Sequence, residues 1–179
     1  NQPPMFSIIY FGSAFNPPHR GHMNCLKFLE NKGDLILAGP SAAHAFGKKM
    51  LPFSTRVQLL RNLMEDYQIH ATICEIEETL STMKDGPVYT WDVLNALQQE
   101  YPQASISFAM GQDNQENFHK FYRYADIQEH FGIVVIPAIS DMARSTQIRD
   151  AVRTKNTDFV VQETSPRVAS QLMQLTFEV

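Results

Sequence analysis

Five short apolar runs, at residues 6–11, 34–38, 71–76, 105–110 and 132–137, constrain the fold of this chain more than any other feature. Each is rich in β-branched or aromatic side chains and is bounded by turn-forming residues, so each reads as a buried strand. Continuous apolarity, in place of strict alternation with polar residues, is what a strand needs when both faces of its sheet are covered, as in parallel sheets. Between the runs the apolar spacing becomes helical. Val57, Leu60 and Met64 follow Ser54, a candidate N-cap, and Val93 and Leu97 follow Thr90. Strand and helix therefore alternate. This predicts an α/β fold, a Rossmann-like doubly wound parallel sheet that receives ligands beyond the carboxyl ends of its strands.

Near the end, Ser145 is placed to cap a helix carrying Ile148 and Val152, and Ser165-Pro166 opens another with Val168, Leu172 and Leu175. These segments predict a small C-terminal helical annex. The stretch 39–52, with its Gly and Pro residues, reads as a mobile loop on the ligand face. With 179 residues, 44% of them hydrophobic, the chain suits one domain over 1–179.

A formal charge of −4 argues against binding nucleic acid by broad neutralisation of its backbone, so phosphate chemistry must rely on a few local cations. No apolar run approaches the roughly 20 residues needed to span a bilayer, and no signal-peptide pattern opens the chain. No membrane is expected, and a cytoplasmic location is. Asn1-Gln2-Pro3-Pro4 reads as added or processed sequence and carries no weight in the fold. Cys25 and Cys74 are too few and too far apart for a disulfide framework or a zinc cluster, and read as buried thiols.

Function concentrates where the first strand turns into the first helical segment, at Tyr10-Phe11-Gly12-Ser13-Ala14-Phe15-Asn16-Pro17-Pro18-His19-Arg20-Gly21-His22. Gly12 lets a phosphate approach the backbone, and N–H groups around Ser13 and Ala14 can face it. His19 and His22 flank Gly21 and can both project toward an anion at the helix N-terminus, where backbone donors and the helix dipole favour negative charge. Two histidines also admit a metal, but no third Cys, Asp, Glu or His stands in local ligand spacing, and no protein-held metal is expected.

This segment resembles the His-x-Gly-His signature of the nucleotidyltransferase superfamily, and the chain from Ser7 to about Leu175 is similar to bacterial-type nicotinate mononucleotide adenylyltransferases. Ala14 and Asn16 stand where that family commonly has Thr and Asp. The resemblance implies transfer of AMP from ATP to the 5′-phosphate of nicotinate mononucleotide, with release of pyrophosphate and formation of deamido-NAD, Mg²⁺ accompanying the ATP. His19, His22 and Arg149 are the implied catalytic residues. Arg149 closes Ser145-Thr146-Gln147-Ile148-Arg149, which resembles the Ser-Thr-x-x-Arg signature at a helix start. There Ser145, Thr146 and the guanidinium could hold terminal phosphates, although a plain cap also explains Ser145.

Gly111-Gln112-Asp113 resembles a Gly-x-Asp element contacting adenosine, so Gly12, Ser13, Gly21, Gly111, Asp113, Ser145 and Thr146 form the implied ATP site. His44 and Lys48, in the loop where relatives place a basic residue near the ATP phosphates, are candidates to join it, and a solvated basic loop explains them equally well. Tyr89-Thr90 resembles an element that holds the pyridine nucleotide, and Phe121 occupies the place of an aromatic that stacks on nicotinate. A helix cap at Thr90 and core packing at Phe121 are the ordinary alternatives. The expected partners are ATP and a pyridine mononucleotide, with a homo-oligomer admitted. Nicotinamide mononucleotide or another phosphorylated acceptor is the nearest rival substrate, and a nucleotide sensor without catalysis is the rival of another class.

Overall fold

The structure is a computed structural model, and it describes residues 5–43, 49–139 and 142–175. Its elements run β1 (Ser7–Ser13), α1 (Arg20–Leu29), β2 (Leu35–Pro40), α2 (Phe53–Asp66), β3 (Thr72–Ile73), α3 (Ile76–Ser81), α4 (Thr90–Glu100), β4 (Ser105–Gly111), α5 (Gln112–Gln115), a 3-10 turn (Phe118–Lys120), α6 (Tyr124–His130) and β5 (Gly132–Ile136). The annex follows as α7 (Ser145–Arg153), α8 (Thr157–Glu163) and α9 (Pro166–Met173).

All strand pairings are parallel, in the order β3-β2-β1-β4-β5. The doubly wound sheet is thus present. Its winding reverses at β1, so a crevice opens between the carboxyl ends of β1 and β4, where this topology places ligands. The pleat of β1 divides the core. Ile9 and Phe11 pack with Met23, Leu26, Leu60 and Leu63, and with the annex residues Val160, Val168 and Leu172. Ile8 and Tyr10 face the other way, among Val93, Leu94, Leu97 and Ile127.

The annex is fastened to α2. Ser165 Oγ donates to Asp66 Oδ2 at 2.7 Å while accepting from Val168 N–H, and Arg167 pairs with Asp66 at 2.7 Å. Ser165 is the N-cap expected of it. Three other expected caps move. The helix after the 39–52 stretch starts at Phe53, with the rigid extended Pro52 before it, so Ser54 lies inside. Tyr89 and Arg144 hold the N-cap positions of α4 and α7, because the side chains three residues on, Asp92 and Gln147, accept their backbone N–H groups at 2.9 and 2.8 Å. Thr90 and Ser145 become the first helical residues, and the Ser145 hydroxyl forms no hydrogen bond among the described residues.

The third run is mostly not strand. Only Thr72–Ile73 pairs, on one side and with β2 alone, and Ile76 already belongs to α3. α9 ends at Met173, so Leu175 packs on the core from beyond it. The two cysteines are free and half-buried at the core margin, less enclosed than expected, and burial pushes both thiols up, Cys25 to about 11. No described helix is long and apolar enough to cross a membrane.

Candidate active site

The turn from β1 into α1 folds the two histidines onto each other. His19 is the N-cap of α1: its Nδ1 accepts from Gly21 N–H at 3.0 Å, and its own N–H donates to His22 Nδ1 at 3.1 Å. A reciprocal cap usually built from Ser and Glu is here made by two imidazoles, and it satisfies two backbone donors that the first turn leaves without partners. Both accepting nitrogens must be unprotonated, so each neutral ring carries its proton on Nε2. His22 Nε2 then donates to Ser13 Oγ, 3.1 Å away. The rings lie 3.9 Å apart, centroid to centroid, and both residues stay half-buried.

Gly21 makes this arrangement possible. A Cβ there would come within 2.8 Å of His19 Cε1 and displace the ring. Below the pair, Phe15 is fully buried with φ of 48°, a left-handed conformation that strains a bulky residue. Its ring meets His22 at 4.6 Å and Phe11 edge-on at 6.0 Å. The core thereby fixes the imidazole from beneath.

Burial holds both rings neutral. It lowers His19 from the ordinary 6.5 to about 4, with Glu163 opposing and Arg20 assisting, and it lowers His22 well below its usual range, with His19 assisting. Between those two values the unfolded chain binds a proton that the folded His19 refuses, so stability rises with pH across the window. The contribution is complete above 6.5 and is lost as pH falls toward 4. At about 1.4 kcal/mol per unit, roughly 3–4 kcal/mol is at stake. Denaturant melts of the nucleotide-free protein are expected to lose stability through this window, and His19→Asn to flatten the decline. Identical slopes in the two proteins would show that His19 titrates as it does in the unfolded chain.

The start of α7 lies against the same turn. Arg149 Nη1 donates to the Asn16 carbonyl at 2.8 Å and Nη2 to Thr146 Oγ1 at 3.1 Å, while Met142 packs toward Gly21 and accepts from Asn24 at 3.7 Å. The turn is braced from two more directions. Arg20 pairs with the buried Glu163 of α8 at 2.9 Å, and the fully buried Arg56 of α2 donates to the Ala14 and Leu51 carbonyls, both at 2.8 Å. Asn16 accepts from Leu51 N–H at 3.0 Å.

A cavity of about 180 Å³ opens at the β1/β4 crevice, lined by Gly12, Gly111, Thr90 and Phe121 among others. Space above Gly111 is open where a side chain would stand. Phe121 lines the cavity and also packs against Phe108 and Phe118 at 5.9 and 5.4 Å, the core packing named as its ordinary alternative. Tyr89 stays outside, exposed and stacked on Tyr122 at 4.5 Å. Asp113 is exposed on α5 and does not line the cavity, whereas its neighbour Asn114 does. His44 and Lys48 lie outside the described residues. Tyr10, Ser41, Glu77 and Asn114 line the cavity without having been given a role from the sequence: Tyr10 and Asn114 stand at the edges of the first turn and of the Gly-x-Asp element, and Glu77 lies in no motif.

A family model described as cytidylyltransferase-like matches residues 10–166. Over 145 residues the chain is 30% identical to a "Probable nicotinate-nucleotide adenylyltransferase" of Flavobacterium johnsoniae, covering 79% of this chain and 72% of that protein. It spans 63% of a similarly named Brucella abortus relative. The crystal structure of a "Putative Nicotinate-nucleotide Adenylyltransferase" from Vibrio parahaemolyticus superimposes with a TM-score of 0.80 at 32% identity, over 95% of this chain and 100% of that one. Plasmodium falciparum nicotinic acid mononucleotide adenylyltransferase complexed with NaAD shares the fold, with a TM-score of 0.73 at 13% identity over 94% of this chain and 95% of that one.

Proposed function

The chain belongs to the cytidylyltransferase-like family, and from that premise we propose that, as one domain over 1–179, it transfers AMP from ATP to the 5′-phosphate of nicotinate mononucleotide, forming deamido-NAD and pyrophosphate. Membership and the naming of its relatives make the chain a nucleotidyltransferase of NAD biosynthesis. One observation carries the assignment of roles: Arg149 of α7 reaches the Asn16 carbonyl, so the Ser-Thr-x-x-Arg turn and the histidine turn form one anion-binding wall beside the β1/β4 crevice.

A phosphate monoester is already a nucleophile, so the reaction needs no acylating side chain and no strong base. An oxygen of the mononucleotide phosphate bonds to the α-phosphorus of ATP as the bond from that phosphorus to the β-phosphate bridge breaks. The chain's tasks are alignment and stabilisation of charge. Holding two anions in line can remove roughly 7–11 kcal/mol of barrier. His19 and His22 serve the α-phosphate as neutral donors through Nε2, His22 exchanging its contact with Ser13 Oγ for a phosphate oxygen. Ser145, Thr146 and Arg149 receive the departing pyrophosphate, Arg149 exchanging its internal carbonyl contact for phosphate oxygens. Gly12, Ser13, Gly21, Gly111 and Asp113 border the ATP, with Lys48 from the loop, while Tyr89, Thr90 and Phe121 border the pyridine nucleotide.

The donors at this wall are imidazole, hydroxyl and guanidinium groups, which suit an anion and leave Mg²⁺ to arrive chelated by the triphosphate. There it neutralises phosphate charge. Among the described residues, the grouping of His and carboxylates close enough to share a cation is Asp126, Glu129 and His130, on α6 and apart from this turn in the sequence.

A pyrophosphate-release screen with ATP, Mg²⁺ and a panel of acceptors tests the proposal. Release is expected with nicotinate mononucleotide, well above nicotinamide mononucleotide and phosphopantetheine. Equal use of the two pyridine nucleotides would defeat the acid preference, and tight ATP binding without release would favour a sensor.

A further inference from the structure

Among the described residues, one buried side-chain polar atom has no hydrogen-bond partner: the hydroxyl of Tyr10, on a residue only 2% exposed. A buried unpaired hydroxyl costs about 1–3 kcal/mol, and phenylalanine would fill the same space without that cost. The surroundings are shaped to the phenol. A Cβ at Gly12 would come within 3.0 Å of the Tyr10 ring, and one at Gly39 would collide with the hydroxyl itself. Gly12 and Gly39 are paired across β1 and β2, so both strand ends are bare of side chains where the phenol lies.

Tyr10 lines the 180 Å³ cavity described above. Val93, Phe108, Met110 and Phe121 give that cavity an apolar and aromatic wall suited to the face of a ring. Its size suits one six-membered ring with a small substituent, since a cavity of about 150 Å³ accepts benzene. Burial, with Glu77 and Cys74 assisting, holds the hydroxyl's proton well above the ordinary tyrosine range, so it remains a donor. Glu77 borders the same space, with one oxygen held by Ala42 N–H at 3.1 Å and its charge offset by Arg56.

We propose that Tyr10 is a specificity-determining residue for the acceptor, its hydroxyl donating to an oxygen of the carboxyl or carboxamide group on the pyridine ring. This rests on the acceptor being a pyridine mononucleotide, and it explains why a strand position in the core carries a polar atom that the protein alone does not satisfy.

Tyr10→Phe in the full chain tests it, with nicotinate mononucleotide varied at saturating ATP and Mg²⁺, acceptor binding measured by calorimetry without ATP, and a thermal melt. The expected result is a rise of about tenfold in acceptor KM and Kd, with the KM for ATP within about twofold of the parent and the melting temperature of the free protein equal or higher. Unchanged acceptor KM and Kd would overturn the proposal, whether or not the melting temperature moves. The wild type is assayed first. If it releases no pyrophosphate with either pyridine mononucleotide, the acceptor assignment itself fails, whereas an active wild type with an indifferent variant defeats Tyr10 alone.

Discussion

His22→Ala is expected to lower kcat by about two orders of magnitude or more, the usual cost of removing a donor aimed at charge that develops in the transition state. The ring is held by Ser13 Oγ at 3.1 Å, by the His19 N–H at 3.1 Å and by Phe15 beneath it, so its Nε2–H is oriented before substrate arrives. A donor that has only to exchange Ser13 Oγ for a phosphate oxygen, with its ring already fixed, acts mainly on the transition state, so kcat should fall far more than the KM for either substrate rises. Alanine also removes half of the reciprocal cap, worth about 1 kcal/mol. A denaturant melt of the variant separates that loss from the catalytic one. Unchanged turnover in a folded His22→Ala protein would take His22 out of the mechanism.

The second large effect is on stability. Arg56→Met is expected to destabilise the fold by about 2–4 kcal/mol, the cost of leaving two buried carbonyls without their donor. The side chain is 1% exposed, and its two carbonyl partners, Ala14 and Leu51, would lose their donor. Ala14 belongs to the histidine turn and Leu51 to the end of the stretch before α2, so activity is expected to fall with stability. Arg56→Lys keeps charge and length but cannot span both carbonyls in the planar geometry of a guanidinium, and should recover only part of the loss. Urea melts would decide: a midpoint shift worth less than about 1 kcal/mol would mean that the two carbonyls find other partners.

The sheet is legible in the sequence where a strand is covered on both faces. β1, β4 and β5 fall within a residue or two of their apolar runs, since burial on both faces demands continuous apolarity. β3 is shorter than its run because the chain leaves the sheet edge after Ile73 and coils into α3 from Ile76. The short helices α3, α5, α6 and α8 have too few turns to show a helical stripe. The caps at Tyr89 and Arg144 leave little trace in sequence because the acceptor is the side chain three residues later and not the residue at the start. Within the site, the spacing of His19, Gly21 and His22 carries its own geometry. Tyr10 and Arg56 do not stand out. A tyrosine in an apolar run and an arginine in a helix become unusual only once sheet order and packing bury them.

The ion pair between Arg20 and Glu163 joins residues 143 positions apart. A chain emerging from the ribosome therefore has the histidine turn long before it has the carboxylate that steadies it. Until α8 has been synthesised, Arg20 lacks its counter-charge, and the turn lacks one of the braces that hold it. Completion of the C-terminal helices thus acts as a late latch on competence.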